Sequence, residues 1–157
     1  MSGFTHFNQE GDAHMVDVHA KEDTVRKAVA SGKITMNQEV FEAVKAGSMQ
    51  KGDVLSVARI AGIMGAKKTS DLIPLCHNIG MTNCEIRFEM NEEEHSILAI
   101  CETGCVGKTG VEMEALTGVN IALLTVYDMC KAMDRAMEIS EIHLLKKDGG
   151  KSGHYER

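Results

Sequence analysis

Polar and apolar residues alternate most regularly at residues 84–90, CEIRFEM. The apolar residues of this run fall on one face of an extended chain and the charged residues on the other, which is the pattern of a half-buried strand. A polar stretch, NEEEH, and a second apolar run, SILAICE, follow directly. The pattern therefore predicts a β-hairpin at about residues 84–102.

Helix start and stop signals surround this hairpin. Asn37 can cap a helix that runs through about Ala46, and Asp53 can cap a second helix that ends at two lysines. The other predicted elements are strands at 14–19, 24–36 and 139–146 and a long helix at about 115–136. A short helix is an alternative for residues 24–36.

The order of the core elements is β-α-β-β-α-β. That order predicts an α+β fold, a ferredoxin-like sandwich with an antiparallel sheet and helices packed on one face. The 157 residues include one proline and no repeat or low-complexity linker, so we expect a single domain over residues 1–157. The ends, about 1–13 and 147–157, are expected to be flexible. The apolar content of the open sheet face suggests self-association.

Charge and cysteine content narrow the class of protein. A net charge of −6 argues against binding to nucleic acids or membrane surfaces, which calls for a basic patch. No apolar run approaches the roughly 18 residues that span a bilayer. The first residues lack the basic and apolar regions of a secretory signal. Five cysteines without a disulfide framework indicate a reducing compartment, so we expect a cytoplasmic protein.

Two segments place reactive side chains beside irregular backbone. Lys51 stands just before the helix capped by Asp53, where an ammonium group and helix N-terminal amides can bind phosphate. An exposed loop lysine is the commoner alternative. In residues 71–77, DLIPLCH, the only proline precedes Cys76 and His77. His77 can act as an acid or base near neutral pH, or it can have a structural role.

A third segment is residues 104–114, GCVGKTGVEME. It is not a P-loop, because that motif requires glycine five positions before Gly107, where the chain has Glu102. Glu112 and Glu114 are expected to point the same way from an extended segment. They are either exposed acids before a helix or paired carboxylates that orient a cationic or amide-bearing ring. Their proximity can raise one pKa.

The fourth segment lies on the long predicted helix, where Asp128, Lys131 and Arg135 share one face. A surface ion pair is one interpretation. The apolar flanks favour partial burial, and a partly buried lysine beside an aspartate is a plausible acid–base couple.

Bound metal is not expected. Asp17 and His19 share a face of the strand predicted at 14–19, but His14 falls on the opposite face. Cys101 and Cys105 form a CxxxC pair that is not part of a repeated zinc-binding pattern.

Seven runs of residues occur together in one known family. They are HMVDV at 14–18, KGDV at 51–54, ARIAGI at 58–63, DLIPLCH at 71–77, GKTGVEMEALT at 107–117, TVYDMCKA at 125–132 and GGKSG at 149–153. In this order they resemble the MoaC-type cyclic pyranopterin monophosphate synthase family, from about residue 5 to 153.

The resemblance implies an enzyme of molybdenum cofactor biosynthesis. Such an enzyme converts 3′,8-cyclo-7,8-dihydro-GTP into cyclic pyranopterin monophosphate and pyrophosphate, by acid–base rearrangement and cyclic phosphate formation. The resemblance also implies a homohexamer built as a trimer of dimers, with active sites shared between two subunits. It implies no required cofactor, although Mg²⁺ is a common companion of triphosphates.

The resemblance also assigns roles to individual positions. Asp128, Lys131 and Lys51 match the catalytic positions of the family. The substrate-binding positions are matched by Leu75, Cys76, His77, Glu112, Met113, Glu114, Arg26 and Lys147. Asp148 departs from the small residue that is more usual in the family, which leaves the role of Lys147 open.

Two other classes of protein compete with this interpretation. One is a nucleotide-hydrolysing P-loop protein, which Glu102 argues against. The other is a small ferredoxin-like binding or sensor module that uses Cys76 and His77, and such a module should carry stoichiometric metal.

Overall fold

The computed structural model describes residues 6–8, 10–49 and 52–157. The strands are β1 (Thr24–Thr35), β2 (Met81–Asn91), β3 (Ser96–Gly107), β4 (Glu138–Asp148) and β5 (Tyr155–Glu156). The helices are α1 (Gln38–Lys45), α2 (Val54–Lys67), α3 (Thr69–Leu72) and α4 (Glu112–Cys130). The sheet has the order β2-β3-β1-β4-β5, and all its pairs are antiparallel. The predicted ferredoxin-like α+β sandwich is thereby confirmed.

Strand β1 lies in the middle of the sheet and explains how the core forms. Ala28, Ala30 and Ile34 alternate along it and are fully buried. They share the face of Gly32, where an added Cβ would lie 2.8 Å from Val119 of α4. Because successive side chains of a strand point to opposite faces, this pattern places α4 over one face of the sheet.

The two long helices pack tightly because small residues line their contact. Gly62 and Gly65 of α2 are buried, and a Cβ at Gly62 would lie 2.8 Å from the backbone oxygen of Gly118 in α4. A Cβ at Gly118 would in turn lie 2.8 Å from the Cys101 sulfur of β3. The glycines therefore hold α2, α4 and β3 at a separation that larger residues would prevent.

Both predicted helix caps are confirmed. The Asn37 side chain accepts a hydrogen bond of 2.9 Å from the Val40 amide, and Asp53 accepts one of 3.0 Å from the Ser56 amide. These bonds satisfy amides that have no partner within the helix, which is why the helices begin there.

Several predicted element bounds were wrong. Residues 14–19 form no strand; instead the His19 amide donates to the Asp17 side chain at 2.8 Å, which makes a turn. Helix α4 starts at Glu112 and ends at Cys130, rather than spanning 115–136. Beyond it, the Asp134 side chain accepts from the amides of Ala136 and Asn37. Those local bonds compete with continuation of the helix.

The C-terminal segment contains regular structure. Within residues 147–157, which we expect to be a flexible end, β4 extends to Asp148 and β5 pairs with it at Lys146 and Lys147. The loop 149–153 between the two strands has glycines at φ values of 100°, 74° and 65°. Glycine adopts such values without strain, so the GGKSG run builds the reversal of the chain. At the other end, Phe7 and Ala13 form an isolated β-bridge.

Candidate functional site

A cleft of about 290 Å³ lies beside the start of α4. Three stretches line it: residues 75–79 after α3, residues 109–114 at the β3–α4 junction, and the N-terminal segment between His6 and Lys21. The junction is held in place because the Thr103 hydroxyl, buried on β3, donates to the Val111 carbonyl at 3.0 Å. The strand thereby fixes where the first turn of α4 faces the cleft.

Glu114 is the most unusual group in the cleft. Its side chain is only 4% exposed, and its Oε2 accepts no hydrogen bond from the described residues. Burial, reinforced by the negative charge of Glu112, raises the pKa of the Glu114 carboxyl. A buried carboxyl oxygen without a partner is costly, and such an oxygen in a cleft is suited to bind a ligand donor or to hold a proton.

Glu112 and Glu114 point in different directions, whereas the prediction was that they point the same way. Both lie in the first turn of α4, where residues two apart are separated by about 200° around the helix axis. Glu114 turns inward, whereas Glu112 is part-exposed and folds over Gly110, whose missing Cβ leaves room for the carboxylate. Met113 between them is half-exposed and lines the cleft as well.

Leu75, Cys76 and His77 form a second wall of the cleft. His77 Nε2 lies 2.7 Å from the Val16 carbonyl oxygen. Because a carbonyl only accepts, that nitrogen carries the proton and Nδ1 is left as the acceptor of the neutral ring. Burial, followed by the charge of Glu114, raises the pKa of the Cys76 thiol, so this sulfur is a weak nucleophile.

The N-terminal segment is a part of the site that the sequence pattern did not predict. Val16 contacts His77 as described, and the Lys108 ammonium donates to the His19 carbonyl at 2.8 Å. These two bonds fasten the segment across the cleft, where Lys21 supplies a cation. The HMVDV run was the available signal, but its local pattern predicts a strand. The partners that hold the segment, His77 and Lys108, are distant in sequence.

Arg26 and Lys147 flank the junction from the side of the sheet. The Arg26 guanidinium, 9% exposed, donates to the carbonyls of Gly107 and Lys108 at 3.4 and 3.3 Å. The Lys147 ammonium lies 3.7 Å from a Glu112 oxygen. Both predicted cations are therefore brought to the same end of α4 as the cleft.

Asp128 and Lys131 are not brought to the cleft. They contact each other at 2.6 Å near the other end of α4. Sixteen residues separate Glu112 from Asp128, which is about 24 Å along a helix with its rise of 1.5 Å per residue. The expected partial burial was wrong for the isolated chain, because the two side chains are 64% and 51% exposed. Arg135 lies beyond the helix and shares no face with them.

Lys51, the remaining predicted catalytic residue, lies outside the described residues. Among the described residues, no three His, Cys, Asp or Glu side chains come close enough together to hold a metal ion. None of the helices in the described ranges is long and apolar enough to cross a membrane.

A ferredoxin-like sandwich whose cleft carries a buried carboxyl group and an imidazole is typical of an enzyme that acts on a small molecule, and both groups are suited to proton transfer. Residues 15–150 match the model of the MoaC family, and the chain belongs to that family.

Curated relatives agree over almost the whole chain. A cyclic pyranopterin monophosphate synthase of Clostridium acetobutylicum is 58% identical over 154 residues, which cover 98% of this chain and 96% of the relative. The protein of the same name from Heliobacterium modesticaldum is 54% identical and covers 100% and 99%. That of Geobacillus kaustophilus is 51% identical and covers 100% and 98%.

Proposed function

We propose that this chain is a cyclic pyranopterin monophosphate synthase. It converts 3′,8-cyclo-7,8-dihydro-GTP into cyclic pyranopterin monophosphate and pyrophosphate, in the biosynthesis of the molybdenum cofactor. The observation that carries this proposal is the identity of 58% to a relative of that name over 98% of the chain. The buried Glu114 Oε2, which accepts no hydrogen bond from the described residues, supports it, because a guanine-derived ring offers N–H donors to such an oxygen.

The first part of the reaction is the acid–base rearrangement, and two groups share its proton transfers. Glu114 holds the ring, and its raised pKa allows it to give or take a proton near the ring. His77, whose Nδ1 is the free acceptor in the neutral ring, is a second proton carrier. Leu75, Cys76 and Met113 shape the wall against which the ring packs.

The second part of the reaction is the formation of the cyclic phosphate, which depends on cationic side chains. A substrate hydroxyl attacks the phosphorus atom nearest the sugar, the bond to the neighbouring bridging oxygen breaks, and pyrophosphate leaves. Arg26, Lys147 and Lys51 balance the charge that develops on the leaving group. Lys131, held by Asp128 at 2.6 Å, relays the proton of the hydroxyl. The protein itself needs no resident cofactor, and Mg²⁺ enters only with the triphosphate.

A second copy of the chain completes each site in this proposal. Glu112 and Asp128 are about 24 Å apart along α4, a separation set by the helical rise of 1.5 Å per residue, so one chain does not place both on one substrate. Exposed apolar side chains on α2, at Val57, Ile60 and Met64, support association. The proposed homohexamer, a trimer of dimers, has about six times the chain mass of 17.1 kDa, which light scattering measures directly.

The five described cysteines form no disulfide with one another. They support a reducing compartment, and we propose the cytoplasm as the place of action.

The test is turnover of the purified protein. Anaerobic incubation with 3′,8-cyclo-7,8-dihydro-GTP is expected to release pyrophosphate and to yield a pterin that fluoresces after oxidation. Asp128→Ala should abolish both products. Glu92→Gln, which removes an exposed ion pair with Lys45 at the opposite end of the sheet, should leave both unchanged. An assembled wild-type protein that forms neither product would refute the proposal and favour a binding module.

A further inference from the structure

The loop 149–153 lies directly against the cationic edge of the site. A Cβ at Gly150 would lie 2.8 Å from Arg26 Nη2, and one at Gly149 would lie 3.2 Å from Arg26 Cδ. The glycine backbone therefore covers the guanidinium that binds the β3–α4 junction. Any displacement of this loop uncovers Arg26.

The same loop also determines where Lys147 points. The Lys147 ammonium donates to the Ser152 hydroxyl and lies 3.7 Å from Glu112. Its side chain is only 15% exposed. A long, flexible lysine loses much side-chain entropy when it is confined in this way. The loop must therefore stay closed for Lys147 to remain at Glu112.

A cluster of charges joins the two strands at the base of this loop. His154 Nδ1 lies 2.6 Å from Asp148 Oδ1, and its Nε2 lies 3.3 Å from Glu156 Oε2. Asp148 ends β4, and Glu156 belongs to β5. The imidazole thus connects both sides of the chain reversal. Strand β5 has only two residues, so few backbone hydrogen bonds share this task.

We propose that Asp148 and His154 are positioning residues of the active site, whose contact closes the loop 149–153 and thereby holds Lys147 at Glu112. The proposal rests on the proposed function in one respect: Lys147 must contact the phosphates of the substrate. The closure of the loop itself is independent of any reaction.

The contact depends on the proton of His154. The hydrogen bond to Asp148 raises the pKa of His154 above its usual value, and the nearby Lys146 opposes this effect. Glu156 faces the other ring nitrogen, while Lys27 of β1 and Glu102 of β3 line the surface around Asp148. Only the protonated ring donates to both carboxylates. Because the folded-state pKa of His154 is raised, the bridge to both carboxylates is present below that pKa as long as Asp148 stays ionised. It weakens as the pH rises through that pKa, because the neutral ring keeps a donor for only one of them.

The experiment compares wild type with His154→Ala and His154→Arg. We expect the wild-type KM to rise and kcat to fall with pH through the titration of His154, because Lys147 contacts the bound phosphates and also balances the charge that develops on the leaving group. In His154→Ala we expect a KM about three- to tenfold above the wild-type value at low pH, in line with loss of a charge-assisted contact. This KM should not rise further with pH. His154→Arg keeps a cation at every pH and should keep the low KM without the rise. Glu92→Gln is the matched surface control.

A second readout does not need substrate. The Gly153 amide donates to the Gly150 carbonyl at 3.0 Å within the loop. Its hydrogen exchange, corrected for the intrinsic effect of pH, should be faster in His154→Ala and should accelerate with pH in wild type only. Unchanged exchange and an unchanged KM profile in His154→Ala would overturn the inference while product formation upheld the proposed function. If wild type formed no product, the function would fail, and the exchange data would still decide whether His154 closes the loop.

Discussion

Two inactive variants of this protein should restore each other's activity when they are mixed. Glu114→Gln damages the cleft at the start of α4, and Asp128→Asn damages the acid–base couple near its end. Each substitution exchanges a carboxylate for an amide of nearly the same volume, so both chains are expected to assemble normally. If one site takes its two halves from two subunits, a mixed assembly contains intact sites that neither variant forms alone.

The size of the effect follows from the geometry. Glu114 and Asp128 are about 21 Å apart on one rigid helix, at 1.5 Å per residue, so a site that uses both residues would draw them from different chains. After random reassembly of equal amounts, an intact site needs a sound first half from one chain and a sound second half from its neighbour. Each occurs about half the time, so mixing should recover about a quarter of wild-type activity.

The assay measures pyrophosphate release after the two variants are dissociated together and reassembled. Mixing wild type with the double variant is the matched control. Shared sites predict about a quarter of wild-type activity in that mixture too, whereas sites contained in one chain predict about one half. Recovery near zero in the first mixture and near one half in the second would refute the shared site.

Three further predictions concern stability. Gly118→Ala should lower the free energy of unfolding by about 1–3 kcal/mol, because the new Cβ would lie 2.8 Å from the Cys101 sulfur; urea titration measures this. Asn37→Ala should cost about 1 kcal/mol by the same measurement, because the Val40 amide loses its capping partner. Burial raises the pKa of Glu114, so the folded state holds its proton more tightly, and stability should fall as the pH rises from the ordinary glutamate pKa through the raised one. Glu114→Gln should remove that decline, which urea titrations at several pH values would show.

Local sequence signals predicted the elements whose causes are local. The alternation in residues 84–90 continues in β2, which the structure extends to Met81–Asn91. Asn37 and Asp53 cap the helices that their side chains predicted. Such signals involve neighbours within a few residues, and tertiary packing in this protein reinforces them.

Predictions failed where a distant partner decides the conformation. Residues 14–19 have an apolar–polar alternation that is compatible with a strand, but a carbonyl bond to His77 and one to Lys108 hold them at the cleft without a strand partner. In the glycine-rich end, His154 contacts Asp148 and the loop lies against Arg26, and the sequence predicted neither contact. Neither partner can be identified from spacing along the chain.

The order of the core elements, the helix caps and the residue types of the site could be predicted from the sequence alone, because hydrophobic period and capping chemistry act between near neighbours. Which of those residues meet depends on the tertiary packing. The packing buries Glu114 with its Oε2 unpartnered among the described residues and brings Lys147 to Glu112. It also kept Asp128 at the far end of α4, because a helix is a rigid spacer whose length no side chain can shorten.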